Sequence, residues 1–313
     1  MNGPRKFRFG VLCRSAADTP RAWKDRCREA EDLGYDVLLV TDHLDGPDWA
    51  PVPALVLAGE ATSRIRLGCH VFNNDLRHPA VLARDLAAVD HMSDGRLEVG
   101  LGAGWKLLDY TFRGEQPDEP LTRIERLEEA VRAVKALLAR EHLTTEGKYY
   151  SFRDFRLSPP ALQHPRPPIS IGGGGRRILE LAAKEADIVS VNLRFGAPSF
   201  AAAMQAATWQ ATATKVAWVR DAATSRRETP EQNIVVYFVI VGEDAGGRAD
   251  QVARSLGMTA KELKASPHAL VGSVAAVVER LQEQRDELGI TYFSIPDRSL
   301  EEFAPVLQAV AGR

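Results

Sequence analysis

Asp42 and His43 place an imidazole directly after a carboxylate. Imidazole gains and loses a proton near neutral pH, so the pair suits proton transfer, with the acid fixing the ring. A histidine that only hydrogen-bonds at the start of a loop accounts for the same residues, and both readings stay open here. The second candidate is Gly172, Gly173, Gly174 and Gly175, followed by Arg176 and Arg177. Glycine lets backbone approach a ligand closely, and a helix opening at the arginines would turn its first N–H groups and its dipole on an anion. The run is therefore read as a phosphate site, against the alternative of a flexible turn. Four glycines forfeit about 0.5–1 kcal/mol each relative to alanine in regular structure.

Other motifs exclude more than they assign. Gly100, Gly102 and Gly104 miss the dinucleotide fingerprint because Trp105 stands where the last glycine belongs. Neither a P-loop nor a GxSxG elbow is present, which argues against a P-loop nucleotidase and a serine hydrolase. His70 adjoins Cys69 without further ligands at metal spacing, so no metal site is expected. His78 precedes Pro79 and reads as a helix starter. Trp49, Trp105 and Tyr110 are core aromatics or pocket walls, with a tryptophan in a loop after a strand leaning to the pocket.

Strands are expected over residues 7–13, 35–40, 65–72, 97–101, 169–171, 188–191, 234–241 and 290–295. Helical patterns alternate with them, among them residues 79–92, 121–139, 198–223, 274–288 and 300–310. Residues 143–155 resemble a hairpin, and residues 157–168 a proline-rich link. Eight strands, each followed by a helix, is the number that closes a parallel α/β barrel, so a (β/α)8 TIM barrel spanning residues 1–313 is expected, with insertions after strands four and six. In such barrels the reactive groups lie where strands end at their C-termini. That rule gathers Thr41, Asp42 and His43; Asn73, Asn74 and Asp75; Gly102, Ala103, Gly104 and Trp105; the four glycines; and Asn192, Leu193, Arg194 and Phe195. The mixture suits a bulky, planar, phosphorylated ligand better than a metal.

The chain has 313 residues, 45% hydrophobic and 26% charged, with a net charge of −2. That balance favours neither nucleic acid nor an anionic membrane. No apolar run is long enough for a membrane span, and the basic N-terminus lacks the apolar core of a secretory signal. Cys13, Cys27 and Cys69 have no metal or redox spacing and read as buried, reduced thiols of a cytoplasmic protein.

Four stretches carry a family resemblance: AEDLGYDVLLVTDH (residues 30–43), RIRLGCHVFNNDLRHPAVLARDLAAVDHMSDGRLEVGLGAGW (64–105), PPISIGGGGRRILELAAKEADIV (167–189) and LVGSVAAVVERLQEQRDELGITYFSI (270–295). In these the chain resembles the bacterial luciferase-like superfamily of flavin and coenzyme F420 enzymes. NNDLRHP, the Asp109–Tyr110 pair after GLGAGW, and GGGGRRIL resemble its F420-dependent subgroup most. The resemblance implies a homodimer with the coenzyme ring over the barrel mouth and its phosphate at the tetraglycine. It implies that Asp42 and His43 face the ring, that His43 is catalytic, and that a cis His70–Val71 bond buttresses the ring. Sugar-phosphate dehydrogenases of the family carry an acid where this chain has Trp105, so an apolar or aromatic substrate is expected instead. The resulting expectation is an F420-dependent oxidoreductase. His43 and Asp42 are its catalytic pair. Asp42, His70, Val71, Gly102, Ala103, Gly104, residues 172–175, Arg176 and Arg177 hold the coenzyme. Trp49, Phe72, Asn74, Trp105, Asn192 and Phe195 form the substrate pocket. An FMN-dependent monooxygenase served by a separate flavin reductase, or a silent flavin-binding paralogue, shares the same residues.

Overall fold

The computed structural model describes residues 5–13, 19–46, 48–194 and 196–312. Phe195, expected in the substrate pocket, lies outside the described residues. Eight parallel strands form the centre: β1 (Arg8–Leu12), β2 (Val37–Val40), β3 (Arg66–Cys69), β4 (Leu97–Gly102), β5 (Ile169–Gly173), β6 (Ile188–Val191), β7 (Glu231–Val235) and β8 (Ile290–Pro296). Each pairs with its neighbours in sequence, β8 pairs with β1, and β3 meets β4 at Leu67↔Leu97 and Gly68↔Glu98, which closes the barrel. Eight helices cover it: α1 (Pro20–Asp32), α2 (Pro51–Ala61), α3 (Pro79–Met92), α4 (Pro120–Leu138), α5 (Arg176–Glu185), α6 (Trp209–Ala222), α7 (Val274–Glu283) and α8 (Leu300–Val310). Proline opens α1 to α4, where its missing N–H costs nothing. His78 caps α3 by accepting the Ala80 N–H at 3.1 Å, as its place before Pro79 suggested.

The main core lies between the strands and these helices, with Trp23, Leu38, Leu67, Leu86, Leu127 and Phe303 fully buried. The lumen is polar at its N-terminal end. There Arg8 pairs with Glu98 and Glu231 and stacks 4.6 Å over the Tyr292 ring, while Arg66 reaches Glu98 at 2.7 Å. Charges buried together at the end remote from the rim read as stabilising structure.

Insertions follow β4 and β6 as expected. After α4, Leu143–Glu146 and Ser151–Phe155 form the anticipated antiparallel hairpin. Before α6, the short helix Phe200–Gln205 has its own N-cap, Ser199, so the expected single helix over 198–223 is two. A larger insertion after β7 was not expected. The run read as one strand over 234–241 breaks at Val236–Tyr237, and Phe238–Val241 leaves the barrel to pair in parallel with Ala269–Gly272. This insertion packs against the one after β6 in a separate apolar cluster around Met204, Ile240, Ala249 and Leu263.

Candidate functional site

All eight strands run the same way, so the ends of β2 to β6 share one rim. At the end of β2, Asp42 and His43 turn to different partners. Asp42 is buried, takes both terminal nitrogens of Arg77 and accepts the Asn73 N–H at 2.9 Å. It ties β2 to the segment after β3. His43 Nδ1 lies 2.9 Å from Oδ2 of Asp109, whose Oδ1 accepts the Leu44 N–H at 2.9 Å. The expectation that Asp42 orients His43 is thus corrected: Asp109 does so. A carboxylate can only accept, so Nδ1 is the donor, and in the neutral ring Nε2 is the acceptor. Asp109 is 1% exposed and His43 24%, so the clamp is dry while the ring still reaches solvent.

The short helix Leu107–Thr111 brings Asp109 into place, and a second network holds that helix. Tyr110 donates to Asp75 at 2.7 Å, and Arg126 binds both Asp75 oxygens at 2.8 Å. Burial and the Asp75 carboxylate push the Tyr110 hydroxyl up to about 12, so it stays a donor. Gly104 makes the turn into the helix at φ +72°, and a Cβ there would sit 2.5 Å from the Tyr110 hydroxyl and 2.6 Å from Asn73 Oδ1. Trp105 then stands edge-on to His43, ring centres 5.6 Å apart, and is 47% exposed. Leu44, Leu108 and Phe112 are also exposed. His43, Asp45 and Asp109 offer three ligand atoms within 4.8 Å, but Lys106 pairs with Asp45 and both Asp109 oxygens are engaged.

The His70–Val71 peptide is cis. Val71 packs against Gly102, where a Cβ would meet its Cγ2 at 2.4 Å, and Ala103 is buried behind it. Beyond the bond, Phe72–Asn73 pairs with the end of β4. Phe72 is wholly buried in the main core and is no pocket wall. Asn74 is also buried, donating to Tyr150 at 3.2 Å, so it joins the rim to the hairpin instead of lining a pocket. Trp49 is half-buried against the main core.

Across the rim, the tetraglycine runs from β5 into α5. Gly174 is held against β6: a Cβ there would lie 2.1 Å from the Leu193 carbonyl oxygen. Around Gly175 nothing lies within 4 Å of such a Cβ, and the helix it opens has no side-chain cap. The first N–H groups of α5 thus meet no side-chain cap, and the space beside Gly175 is open, as an anion would need. The arginines do not join them. Arg176 pairs with Glu180 at 2.7 Å and Arg177 lies 3.9 Å from Glu128, both side chains more than half exposed. Both side chains turn to these acids here, while their backbone N–H groups open α5.

Asn192, at the end of β6, is a hub. Its Oδ1 accepts from the Tyr237 hydroxyl at 2.5 Å and the Leu193 N–H at 2.7 Å, and its carbonyl accepts from Lys215 at 2.7 Å. Burial and the nearby Arg194 hold the Lys215 ammonium down to about 8. Sequence reasoning missed Lys215, which sits inside a helical pattern, and gave Asp109 no role. The signal for Asp109 was present in its place four residues after Trp105. A ring-plus-phosphate group fits this rim on two observations: the open, uncapped start of α5, and the buried Asn73 Nδ2, which has no partner.

Comparison with known proteins agrees with the fold. The family model described as luciferase-like monooxygenase matches residues 7–292. The F420-dependent glucose-6-phosphate dehydrogenase of Microbacterium testaceum is 35% identical over 189 residues, 58% of this chain and 55% of that protein. The FMNH(2)-dependent dimethylsulfone monooxygenase of Pseudomonas putida is 34% identical over 109 residues, 35% of this chain and 30% of that protein. The chain spans about half the length of the F420-dependent dehydrogenases it matches. In fold it is similar to the coenzyme F420-dependent tetrahydromethanopterin reductase of Methanopyrus kandleri, with a TM-score of 0.77 at 18% identity over 98% of this chain and 100% of that one. The chain belongs to the luciferase-like monooxygenase family.

Proposed function

We propose that this chain is a coenzyme F420-dependent oxidoreductase acting on a small apolar or aromatic organic substrate. The observation that carries the reading is the pairing, on one rim, of a histidine clamped by a buried carboxylate with an open helix N-terminus after four glycines. The backbone of residues 173–175 and the first amides of α5 would hold the coenzyme phosphate. Val71 and the cis peptide would support the ring. When bound, the deazaflavin supplies hydride transfer. His43 holds or accepts a proton at Nε2, and Asp109 keeps that nitrogen bare and aimed. Exposed Trp105, edge-on to His43, and exposed Leu44, next to it in the chain, give the histidine an apolar margin, which supports an apolar substrate over a sugar phosphate.

FMN is the second reading, supported by the likeness to an FMNH(2)-dependent monooxygenase. It would call for a separate flavin reductase. Under either reading we infer a cytoplasmic homodimer; no helix among the described residues is long and apolar enough to cross a membrane. Parallel titrations with oxidised F420 and with FMN test the choice. Micromolar or tighter F420 binding is expected. Binding of FMN alone would overturn the first reading in favour of the second.

A further inference from the structure

His70 stands where β3 ends, and its ring enters the lumen beside the first glycine of the turn. Its Cε1 lies 4.0 Å from where a Cβ on Gly172 would be. A buried polar chain crosses the barrel from this ring. Asn233 Nδ2 donates to the Tyr292 carbonyl at 3.2 Å and to Ser294 Oγ at 2.9 Å. Ser190 Oγ donates to Asn233 Oδ1 at 2.7 Å, and His70 Nε2 lies 3.4 Å from that same Oγ.

The chain has a fixed direction. The Tyr292 carbonyl only accepts, so the amide nitrogen of Asn233 must face it and Oδ1 must face Ser190. Ser190 then spends its one proton on Asn233. What it shows His70 is lone pairs, which repel a bare nitrogen and attract an N–H. Nε2 is therefore the protonated nitrogen. Burial holds the imidazole down to about 4, so the ring is neutral at pH 7. Nδ1 is left with a bare lone pair and no hydrogen-bond partner among the described residues.

We propose that the His70 side chain is a coenzyme-binding group: its Nδ1 is a fixed acceptor for an N–H or O–H donor on the bound ring, and Ser190 and Asn233 set that polarity. This rests on the coenzyme reading above. It assigns the side chain a role of its own, beside that of the backbone bond.

The test uses full-length protein with 15N-labelled imidazoles, the His70 signal among the seven histidines being identified by its loss in His70→Asn. The free protein is expected to show Nε2 protonated and Nδ1 bare at neutral pH, with Ser190→Ala mixing the two tautomers. A proton on Nδ1 in the free protein would overturn the proposal. Oxidised F420 and FMN are then titrated in turn, with binding followed independently by coenzyme absorbance. The Nδ1 resonance should move as it receives a hydrogen bond from whichever coenzyme binds. His70→Gln keeps a donor for Ser190 but loses the acceptor, and should weaken that coenzyme about tenfold. His70→Asn keeps an acceptor near Nδ1 and should restore most of the loss. Coenzyme binding with Nδ1 unmoved would overturn the role of His70 and leave the coenzyme reading intact. If neither coenzyme binds, both fall together.

Discussion

Alanine at Gly175 and at Gly174 should separate ligand binding from folding. Gly175 has φ −101° and ψ 158°, a conformation alanine adopts freely, and nothing lies within 4 Å of the added methyl. Replacing glycine at a compatible site restricts the unfolded chain and should stabilise the protein by about 0.4–1 kcal/mol, or about one to three degrees in melting temperature. Yet the methyl would occupy open space at the start of α5, where the phosphate is proposed to bind. Hydrogen bonds to a charged group contribute about 1.5–3 kcal/mol each, so losing one should weaken coenzyme binding by about 10- to 150-fold. At Gly174 the methyl would sit 2.1 Å from the Leu193 carbonyl oxygen, and backbone must move. Gly174→Ala should lose about 1–3 kcal/mol of stability as well as binding. Thermal melts and coenzyme titrations on parent and both variants provide the readout. If Gly175→Ala bound coenzyme as tightly as the parent, the open helix start would not be the phosphate site.

Asp109→Asn should put an amide N–H opposite His43, reverse its tautomer and cap Nε2 with a proton, while Leu44 keeps an acceptor. Turnover should fall by about 10- to 150-fold with the melting temperature within a few degrees; unchanged turnover would remove Asp109 from the account. Asp42→Ala strands the Arg77 guanidinium and the Asn73 N–H, and urea titration should show a loss of about 2–4 kcal/mol. Burial holds His268, fully buried and with Nε2 unpartnered, down to about 4 from an ordinary 6.5. Unfolding then takes up a proton between those values, so stability should fall as pH drops from about 6.5 to 4. In His268→Leu the number of protons taken up on unfolding in that window should be smaller by about one; an unchanged slope would show that His268 does not carry the effect.

The barrel was legible because βα alternation and a count of eight strands are local signals that leave one closed solution. The insertion after β7 was not. Residues 234–241 form an unbroken β-rich run, and what bends its second half away is a partner strand at Ala269–Gly272. The tetraglycine could be read because backbone freedom is visible in residue type alone. The role of Asp42 could not, because successive residues at a strand end point to opposite sides. Adjacency in sequence therefore keeps Asp42 and His43 apart: one carboxyl goes to Arg77, and the ring goes to Asp109, 66 residues away. The pairing of Arg176 with Glu180 and of Arg177 with Glu128 was not legible for a related reason, since side chains at a helix start spread over its surface while its N–H groups point along the axis. Phe72 looked like a pocket wall by its position at the end of a strand, but β3 resumes beyond the cis bond and carries it into the core.

A crystal structure of the protein soaked with F420 probes the central claim most directly. The phosphate should accept from the amides at the start of α5, with the ring between His43 and the 70–71 peptide. A phosphate bound at the opposite end of the barrel, or a ring remote from His43, would contradict it.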